Sequence, residues 1–321
     1  MQLHANLDCE AGWAGVALPE PVRRRISLYA TLFAACAPGG EAGEPDELWA
    51  PAAVDPARLV AQPGFIPPRV RPGAPPGAID LAWADPAARA ANDRSRTLAI
   101  GQALGVALPG ARVVASLAEL DDHVAGFAGR AWVCKARWTA AGRDRAHGRG
   151  ADVTGQLRVR LGRMLERFGP LVFEPWLDRV ADLGVCGQIA GDGAVTVEPP
   201  HGLVSDARGG FLGIELAPAI DPAIAEPLQA TARAAAAAVA AQTGYRGPFA
   251  VDAFVYRDSG ARHLHPLCEL NARYTFGWIA RALARRLGIR RLGFAPPPPG
   301  ATILIRPGDG PGDDRVTAWC T

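Results

Sequence analysis

Lysine is almost missing from this sequence. Lys135 is the only lysine among 34 basic residues, and all the others are arginines. Because arginine serves everywhere else, the one retained lysine indicates a site that needs a compact ammonium group instead of a planar guanidinium. Chance retention is the alternative interpretation.

Cysteine is also scarce, and its spacing carries no pattern. The 6 cysteines contain no CxxC pair, so the sequence predicts neither a zinc site nor a disulfide framework. His263 and His265 alternate along a predicted strand without a third ligand, which argues against zinc there. We expect reduced, structural thiols, and we expect Cys134 and Cys268 to point into the core.

Long apolar runs and an excess of one charge are missing as well. No run reaches the roughly 18 uninterrupted apolar residues of a membrane span, and the N-terminus lacks the order of a signal peptide. Lys and Arg number 34 against 32 Asp and Glu, a formal net charge of +2, which gives no field to hold nucleic acid or an anionic membrane. We expect a cytoplasmic protein with neither partner.

What the sequence does contain is enough apolar residues for several cores. With 321 residues and 49% hydrophobic content, two or three lobes with a cleft between them are expected. Periodicity and capping signals predict helices at 21–36, 92–104, 116–127, 230–242 and 278–287. Alternating apolar runs predict strands at 131–136, 171–177, 183–190, 194–197, 249–256, 263–270, 301–305 and 315–319.

Two segments are too rich in glycine, proline or polar residues to predict either element. Residues 62–77 hold many prolines and glycines, and we expect an irregular crossing of the surface. Residues 139–150 are polar and glycine-rich, which favours a mobile loop of the kind that closes over phosphates.

The most informative pattern is a group of oxygen-bearing side chains on two neighbouring strands. Glu269 and Asn271 share one face of an extended chain. Asp252 lies inside the apolar run 249–255, where an unpaired carboxylate would be costly, so a cation or a donor is expected beside it. Two carboxylates and an amide oxygen suit Mg²⁺, and Arg273 could clamp a phosphoryl or carboxylate group. The alternative is that acids at strand ends face water.

These residues belong to a segment that resembles the ATP-grasp superfamily. Residues 247–277, GPFAVDAFVYRDSGARHLHPLCELNARYTFG, are similar to the family's metal-binding strand pair and end in its E-x-N-x-R signature. The resemblance implies that Asp252, Glu269 and Asn271 bind Mg²⁺, or Mn²⁺ in its place. It also implies that Arg273 faces the transferred phosphoryl group.

The resemblance continues upstream in the family's order, from Asn92 to about Leu287. By it, Lys135 in AWVCKARW contacts the ATP phosphates, and Arg94 or Arg96 takes the place of a second lysine. Residues 142–150 match the flexible glycine loop, with Gly142, Arg143 and Gly148 near the phosphates. In LVFEPWLDRVADLGV, the adenine pocket would be lined by Glu174, Trp176 and Leu177, and Asp182 would hold the ribose.

The implied architecture is an α/β ATP-grasp fold in which two α+β lobes clasp ATP behind an N-terminal α/β lobe. We expect an N-terminal lobe at 1–91, a subdomain with the glycine loop at 92–180, a subdomain with the metal site at 181–295 and a C-terminal β-hairpin at 296–321. The first of these rests on position alone, because residues 1–91 contain no glycine fingerprint.

The implied function is ATP-dependent ligation. A carboxylate would be activated as an acyl phosphate and joined to an amine, or to a thiol, with release of ADP and phosphate. Amino-acid or peptide ligation and glutamyl addition in cofactor biosynthesis are the favoured branches. A phosphotransferase with a stable acceptor and a catalytically inactive nucleotide-binding protein are the alternatives. The partners would be small molecules, and a homodimer is compatible with the resemblance.

Overall fold

Short parallel strands begin the chain and form the sheet of a first lobe. The computed structural model describes residues 2–5, 7–37, 47–73, 79–80, 87–127, 129–138, 144–206, 210–309 and 316–321. Within these, the first sheet has the order β3-β2-β1-β4 with parallel pairs. Its strands are β1 (Gln2–His4), β2 (Glu47–Ala50), β3 (Arg69–Pro72) and β4 (Ile79–Asp80).

Two helices accompany this sheet: α1 (Cys9–Trp13) and α2 (Glu20–Ala30). The helix predicted at 21–36 is confirmed, since α2 continues into a 3₁₀ helix at Thr31–Cys36. The irregular crossing predicted at 62–77 is wrong where β3 forms. That strand lies at the edge of the sheet in the described residues, and an edge position tolerates a proline such as Pro72.

A second lobe is built on an antiparallel sheet of order β5-β8-β6-β7. Its strands are β5 (Arg112–Val114), β6 (Ala131–Lys135), β7 (Arg145–Arg149) and β8 (Leu171–Pro175). Helices α5 (Leu117–Val124) and α6 (Gly155–Phe168) pack on this sheet. Helices α3 (Ala88–Ala91) and α4 (Arg94–Ala103) precede it in the chain and pack mainly on the lobe described next. One half of the predicted capping box is present, since Ser116 accepts from the Glu119 N–H at 3.1 Å. The Glu119 side chain accepts from the Ala115 N–H at 2.8 Å, one residue before the cap.

The loop predicted at 139–150 is wrong for residues 145–149, which form β7 and pair with β6. Gly148 sits opposite Trp132, where a Cβ atom would lie 2.0 Å from the indole ring. The glycine is therefore accounted for by packing. Helix α6 was not predicted, although Leu157, Leu161 and Phe168 follow a helical spacing.

The third lobe carries the largest sheet, in which every described pair is antiparallel. Its order is β14-β13-β9-β11-β12-β15-β17-β16, with β10 also on β9. The strands are β9 (Asp178–Ile189), β10 (Val195–Val197), β11 (His201–Ser205), β12 (Phe211–Glu215), β13 (Gly247–Asp258), β14 (Ala261–Asn271), β15 (Arg291–Gly293), β16 (Thr302–Ile305) and β17 (Ala318–Cys320). Its helices are α7 (Pro222–Thr243) and α8 (Phe276–Leu287).

Capping places the ends of these helices. Helix α7 begins earlier than predicted because Asp221 accepts from the Ala223 N–H at 2.9 Å and proline follows it at the first helical position. Gly244, in the left-handed region, ends it as expected.

Apolar packing joins the first lobe to the third. Leu3 and Phe33 share one buried cluster with Ile279, Leu283 and Leu304. Strands β16 and β17 extend the third sheet through β15, so the C-terminal strands belong to this packed unit. The boundaries at 91, 180 and 295 stay predictions. Among the described residues, no helix is long and apolar enough to cross a membrane.

Two histidines lie inside the third lobe in their neutral form. Burial, followed by the charge of Arg281, lowers the pKa of His201 to about 3. Burial also lowers the pKa of His265 to about 4, with Glu174 opposing the effect. Only 2% and 4% of these residues are exposed. The His201 ring lies against Gly184 and Gly277, where a Cβ atom would clash with it.

These pKa shifts predict that the two histidines reduce the stability of the protein at pH values above those at which carboxylates are usually protonated. Below about pH 6.5 these histidines bind protons in the unfolded state but not in the folded state. Each histidine therefore lowers the free energy of unfolding by about 1 kcal/mol for each pH unit. Urea unfolding at about pH 7.5 and about pH 5.5 measures it. Asp252 acts in the opposite direction, because burial raises the pKa of its carboxyl group, so the histidine contribution is read from the double variant His201→Gln, His265→Gln. The variant should lose less stability than the parent between the two pH values, and an equal loss in both proteins would contradict the prediction.

Candidate functional site

The lone lysine lies at the end of β6, facing the third lobe. Its Nζ atom is 2.5 Å from Oε2 of Glu174 on β8 and 4.0 Å from Sγ of Cys268 on β14. Burial alone would lower the pKa of Lys135, but the charges of Cys268 and Glu174 raise it. The ammonium group therefore stays charged at the junction of the two sheets.

The predicted oxygen donors meet on the adjoining strands of the third sheet. Asp252 on β13 is the register partner of Glu269 on β14, and Ala250 is the partner of Asn271. The Asn271 amide donates to Asp252 at 3.2 Å, which supplies the donor expected beside this carboxylate. Burial, followed by the charge of Glu269, raises the pKa of Asp252. The carboxylate of Asp252 is therefore disfavoured by burial and by the neighbouring negative charge of Glu269.

A buried arginine connects the lysine strand to this acidic group. Arg94 at the start of α4 donates through Nη1 to the Ala136 carbonyl at 2.8 Å and through Nη2 to Glu269 at 2.7 Å. Arg96, by contrast, contacts Gln242 and the Ala90 carbonyl. Arg94 therefore lies at the acidic group, whereas Arg96 is directed away from it, and the role of a second cation stays a prediction.

An amide from the start of α4 fixes the backbone of the E-x-N-x-R segment. Asn92 accepts from the Ala272 N–H at 2.9 Å and donates to the Ala272 carbonyl at 3.3 Å. Ala272 lies between Asn271 and Arg273, so both side chains leave a main chain that is held on two sides. Asn92 is 6% exposed, and nothing in the sequence pattern singled it out.

Arg273 is oriented by a residue that the sequence did not indicate. Its Nε and Nη2 atoms contact Oε1 of Glu10 at 3.0 and 2.5 Å, and Nη2 also reaches Oδ1 of Asn271 at 2.9 Å. Glu10 belongs to α1 of the first lobe. All three lobes therefore contribute side chains to one polar network.

The expectation for Cys134 is confirmed, and that for Cys268 is met in part, since Cys268 packs on the buried cluster around Leu98 and Phe254. Cys134 is fully buried, whereas Cys268 faces Lys135 and lies 3.9 Å from Nη2 of Arg179. The cause is an irregularity in β14, where the register passes from Asp252–Glu269 to Phe254–His265. Extra residues on one strand break the simple alternation of side chains.

The residues assigned to the adenine and ribose lie beside this junction. Leu177 packs on a cluster that includes Phe254, and Asp182 accepts from Arg179 at 3.3 Å. The ring of Trp176 meets His147 edge-on at 4.4 Å, and the Arg179 guanidinium lies 5.3 Å from it. Arg179 was not predicted, since a single arginine shortly after Leu177 carries no sequence signal.

The nucleotide roles of these side chains stay predictions, as does that of Gly148. Gly142 and Arg143 lie outside the described residues. Between the second and third lobes, a cavity of about 10 Å³ is lined by Arg94, Glu174 and Cys268, room for about one water molecule. The second and third lobes are therefore closely packed at this point.

The donor set fits a magnesium ion that also holds phosphate. Among the described residues, no three His, Cys, Asp or Glu side chains are grouped to hold a metal by themselves. Asp252, Glu269 and Asn271 offer two carboxylates and one amide oxygen, and Asp252 and Glu269 are register partners on neighbouring strands. Mg²⁺ commonly takes one or two carboxylates and completes its shell with phosphate oxygens and water.

Comparisons with known proteins identify the fold. No protein-family profile and no curated protein matches the sequence. Solved structures do match. Carboxyaminoimidazole ribonucleotide synthase from Aspergillus clavatus, complexed with ATP, has a TM-score of 0.51 at 17% identity, covering 73% of this chain and 69% of that one. An ADP complex of N5-carboxyaminoimidazole ribonucleotide synthetase has a TM-score of 0.50 at 13% identity, and the match covers 85% of this chain and 70% of that one.

A third match is the biotin carboxylase domain dimer of 2-oxoglutarate carboxylase from Hydrogenobacter thermophilus, complexed with MgADP and bicarbonate. It has a TM-score of 0.51 at 14% identity, and the match covers 71% of this chain and 61% of that one. The chain spans about half, 49% and 48%, of N5-carboxyaminoimidazole synthetases from Staphylococcus aureus and Aspergillus clavatus. The three matches with TM-scores of 0.50 and 0.51 give this chain the ATP-grasp fold.

Proposed function

We propose that the protein is a Mg-ATP-dependent ligase that activates a carboxylate as an acyl phosphate and couples it to an amine. The observation that carries the proposal is the bridge made by Arg94, which binds the Ala136 carbonyl beside Lys135 and the Glu269 carboxylate. This bridge brings the strand end of the lone ammonium and the acidic group, far apart in sequence, to one junction between the second and third lobes.

The chemistry needs positioning and charge neutralisation more than covalent participation by the protein. A carboxylate oxygen of the substrate attacks the γ-phosphorus, the bond to the bridging oxygen breaks, and ADP leaves with that electron pair. The amine then attacks the acyl carbon, and inorganic phosphate leaves as the amine loses a proton. Carboxylate ions alone are poor electrophiles, so the first step is what makes the second feasible.

Each group at the junction has a part in this scheme. Lys135 and Arg94 would neutralise the phosphates of ATP, and Arg273 would hold the transferred phosphoryl group. Asp252, Glu269 and Asn271 would hold Mg²⁺, which supplies further charge neutralisation to the phosphate oxygens. Closure of the second lobe would exclude water, which otherwise hydrolyses an acyl phosphate.

A screen for ADP release tests the proposal. Amino acids, dipeptides and cofactor precursors are paired as acids and amines, and bicarbonate is included because the Hydrogenobacter structure holds it with MgADP. For any acid that stimulates ADP release, hydroxylamine should trap the acyl phosphate as a hydroxamate.

The alternatives give different outcomes in the same screen. A phosphotransferase would release ADP with a stable phosphorylated product and no hydroxamate, which refutes ligation. A protein that binds Mg-ADP without any turnover over the whole panel refutes catalysis of this kind. The parent and the Glu269→Gln variant are compared throughout, so that ADP from a contaminating ATPase, which the variant would not remove, is recognised.

A further inference from the structure

We propose that Glu10 of the first lobe is the positioning residue for Arg273, and that it holds the guanidinium in the orientation needed for the transferred phosphoryl group. This inference rests on the proposed function for the role of Arg273. It goes beyond that function by assigning the first lobe, which lacks any sequence motif, a direct part in the organisation of the phosphoryl site.

The contacts of Arg273 define which of its edges is free. Nε and Nη2 donate to Glu10 at 3.0 and 2.5 Å, and Nη2 also donates to Asn271 at 2.9 Å. Among the described residues, Nη1 makes no hydrogen bond. A guanidinium is planar, so fixing one edge fixes the direction of the remaining N–H groups. The held edge thus leaves Nη1 for an oxygen of the substrate.

Burial separates this ion pair from an ordinary surface pair. The side chains of Arg273 and Glu10 are 17% and 6% exposed, whereas those of Arg23 and Glu20 in α2 are 44% and 45% exposed. Exposed pairs contribute little to stability, but removal of one partner from a buried pair leaves an uncompensated charge. Burial lowers the pKa of Arg273, but the charge of Glu10 raises it again, so the guanidinium stays charged beside this carboxylate.

The competing explanation is that Glu10 only docks the first lobe. The two roles differ in what they do to the γ-phosphate. A docking residue would affect every nucleotide equally, through stability or closure. A residue that positions Arg273 affects only ligands that carry the group Arg273 contacts.

The test measures the affinity of the whole protein for Mg-ADP and for Mg-AMP-PNP, a non-hydrolysable ATP analogue, by calorimetric titration. Glu10→Gln keeps the size of the side chain but removes its charge. It should reduce the preference for AMP-PNP over ADP by roughly tenfold, with ADP affinity unchanged within about twofold. Glu10→Asp should recover part of the preference. The matched control Glu20→Gln removes an exposed carboxylate of the same lobe and should bind both nucleotides like the parent.

A double-mutant cycle with Arg273→Lys completes the test. If Glu10 acts through Arg273, the double variant Glu10→Gln, Arg273→Lys should lose no more preference for AMP-PNP than Arg273→Lys alone. Additive losses, or equal losses of affinity for both nucleotides in Glu10→Gln, would overturn the proposal. Because binding is read without turnover, failure of the ligase activity leaves this result interpretable, and the two hypotheses fail separately.

Discussion

Replacement of Lys135 by methionine is expected to lower the ATP-dependent rate by about 10² to 10³, since that is the usual effect of removing one preorganised donor from a site of charge development. Methionine keeps the length and the apolar stem of lysine but has no ammonium group. The loss should appear in the steady-state rate of ADP release with whichever acid the screen identifies. Activity within about threefold of the parent would contradict the assignment of Lys135.

The buried partner of Lys135 has to be controlled for. Glu174 is 9% exposed and hydrogen-bonded to Nζ, so Lys135→Met leaves its charge uncompensated and should destabilise the protein. The double variant Lys135→Met, Glu174→Gln removes both charges, and it should regain stability without regaining activity. Arg96→Met, on the same helix as Arg94 but directed to Gln242, should retain the parental rate.

The single lysine also makes the site directly observable. An ATP-derived acyl phosphate probe transfers its label to an amine close to the bound phosphates, and Lys135 is the only lysine in the chain. Peptide mass spectrometry should therefore find one labelled lysine, and an excess of Mg-ADP should suppress the labelling. Labelling of Lys135 that Mg-ADP leaves unchanged would contradict a nucleotide site there.

The second large effect is expected from Asp252→Asn, which should make the protein more stable and less active. At about pH 8 the two neighbouring carboxylates of Asp252 and Glu269 repel each other in a buried position, and the amide removes that repulsion while keeping the hydrogen bond from Asn271. The free energy of unfolding without metal should rise by about 1 to 3 kcal/mol. Turnover should fall on the order of a hundredfold or more, because a metal ligand is lost.

Thermal unfolding with and without Mg-ADP measures both halves of this prediction. The variant should unfold at a higher temperature than the parent without ligand, and Mg-ADP should stabilise it less than it stabilises the parent. Asp258→Asn, at the exposed turn of the same strand pair, is the matched control and should change neither property. A variant that is less stable than the parent and still responds fully to Mg-ADP would refute the metal assignment.

Much of the site was predictable because it is written in local patterns. The alternation around Asp252 and the spacing of Glu269 and Asn271 place these side chains on one face, and the structure brings them together. The scarcity of lysine marked Lys135 without any knowledge of the fold. Ser116 and Glu119 marked the start of α5 because a helix terminus leaves main-chain donors that nearby side chains satisfy.

Other parts were not predictable, because their cause lies in contacts between distant segments. The orientation of Cys268 depends on an irregular register between β13 and β14, and no periodicity in β14 alone reveals it. Residues 145–149 look like loop in isolation. They form a strand because β6 offers a partner and because Gly148 fits beneath Trp132.

Residue types and their spacing set the chemistry that is available: one ammonium group, two carboxylates with an asparagine, and the strands and helices that carry them. Which of these groups meet depends on how the lobes pack. That packing makes Arg94 the bridge instead of Arg96 and brings Glu10, about 260 residues away along the chain, against Arg273. The reason is physical: side-chain periodicity is set by the local backbone, whereas buried charges take the partners that the packing of separate lobes provides.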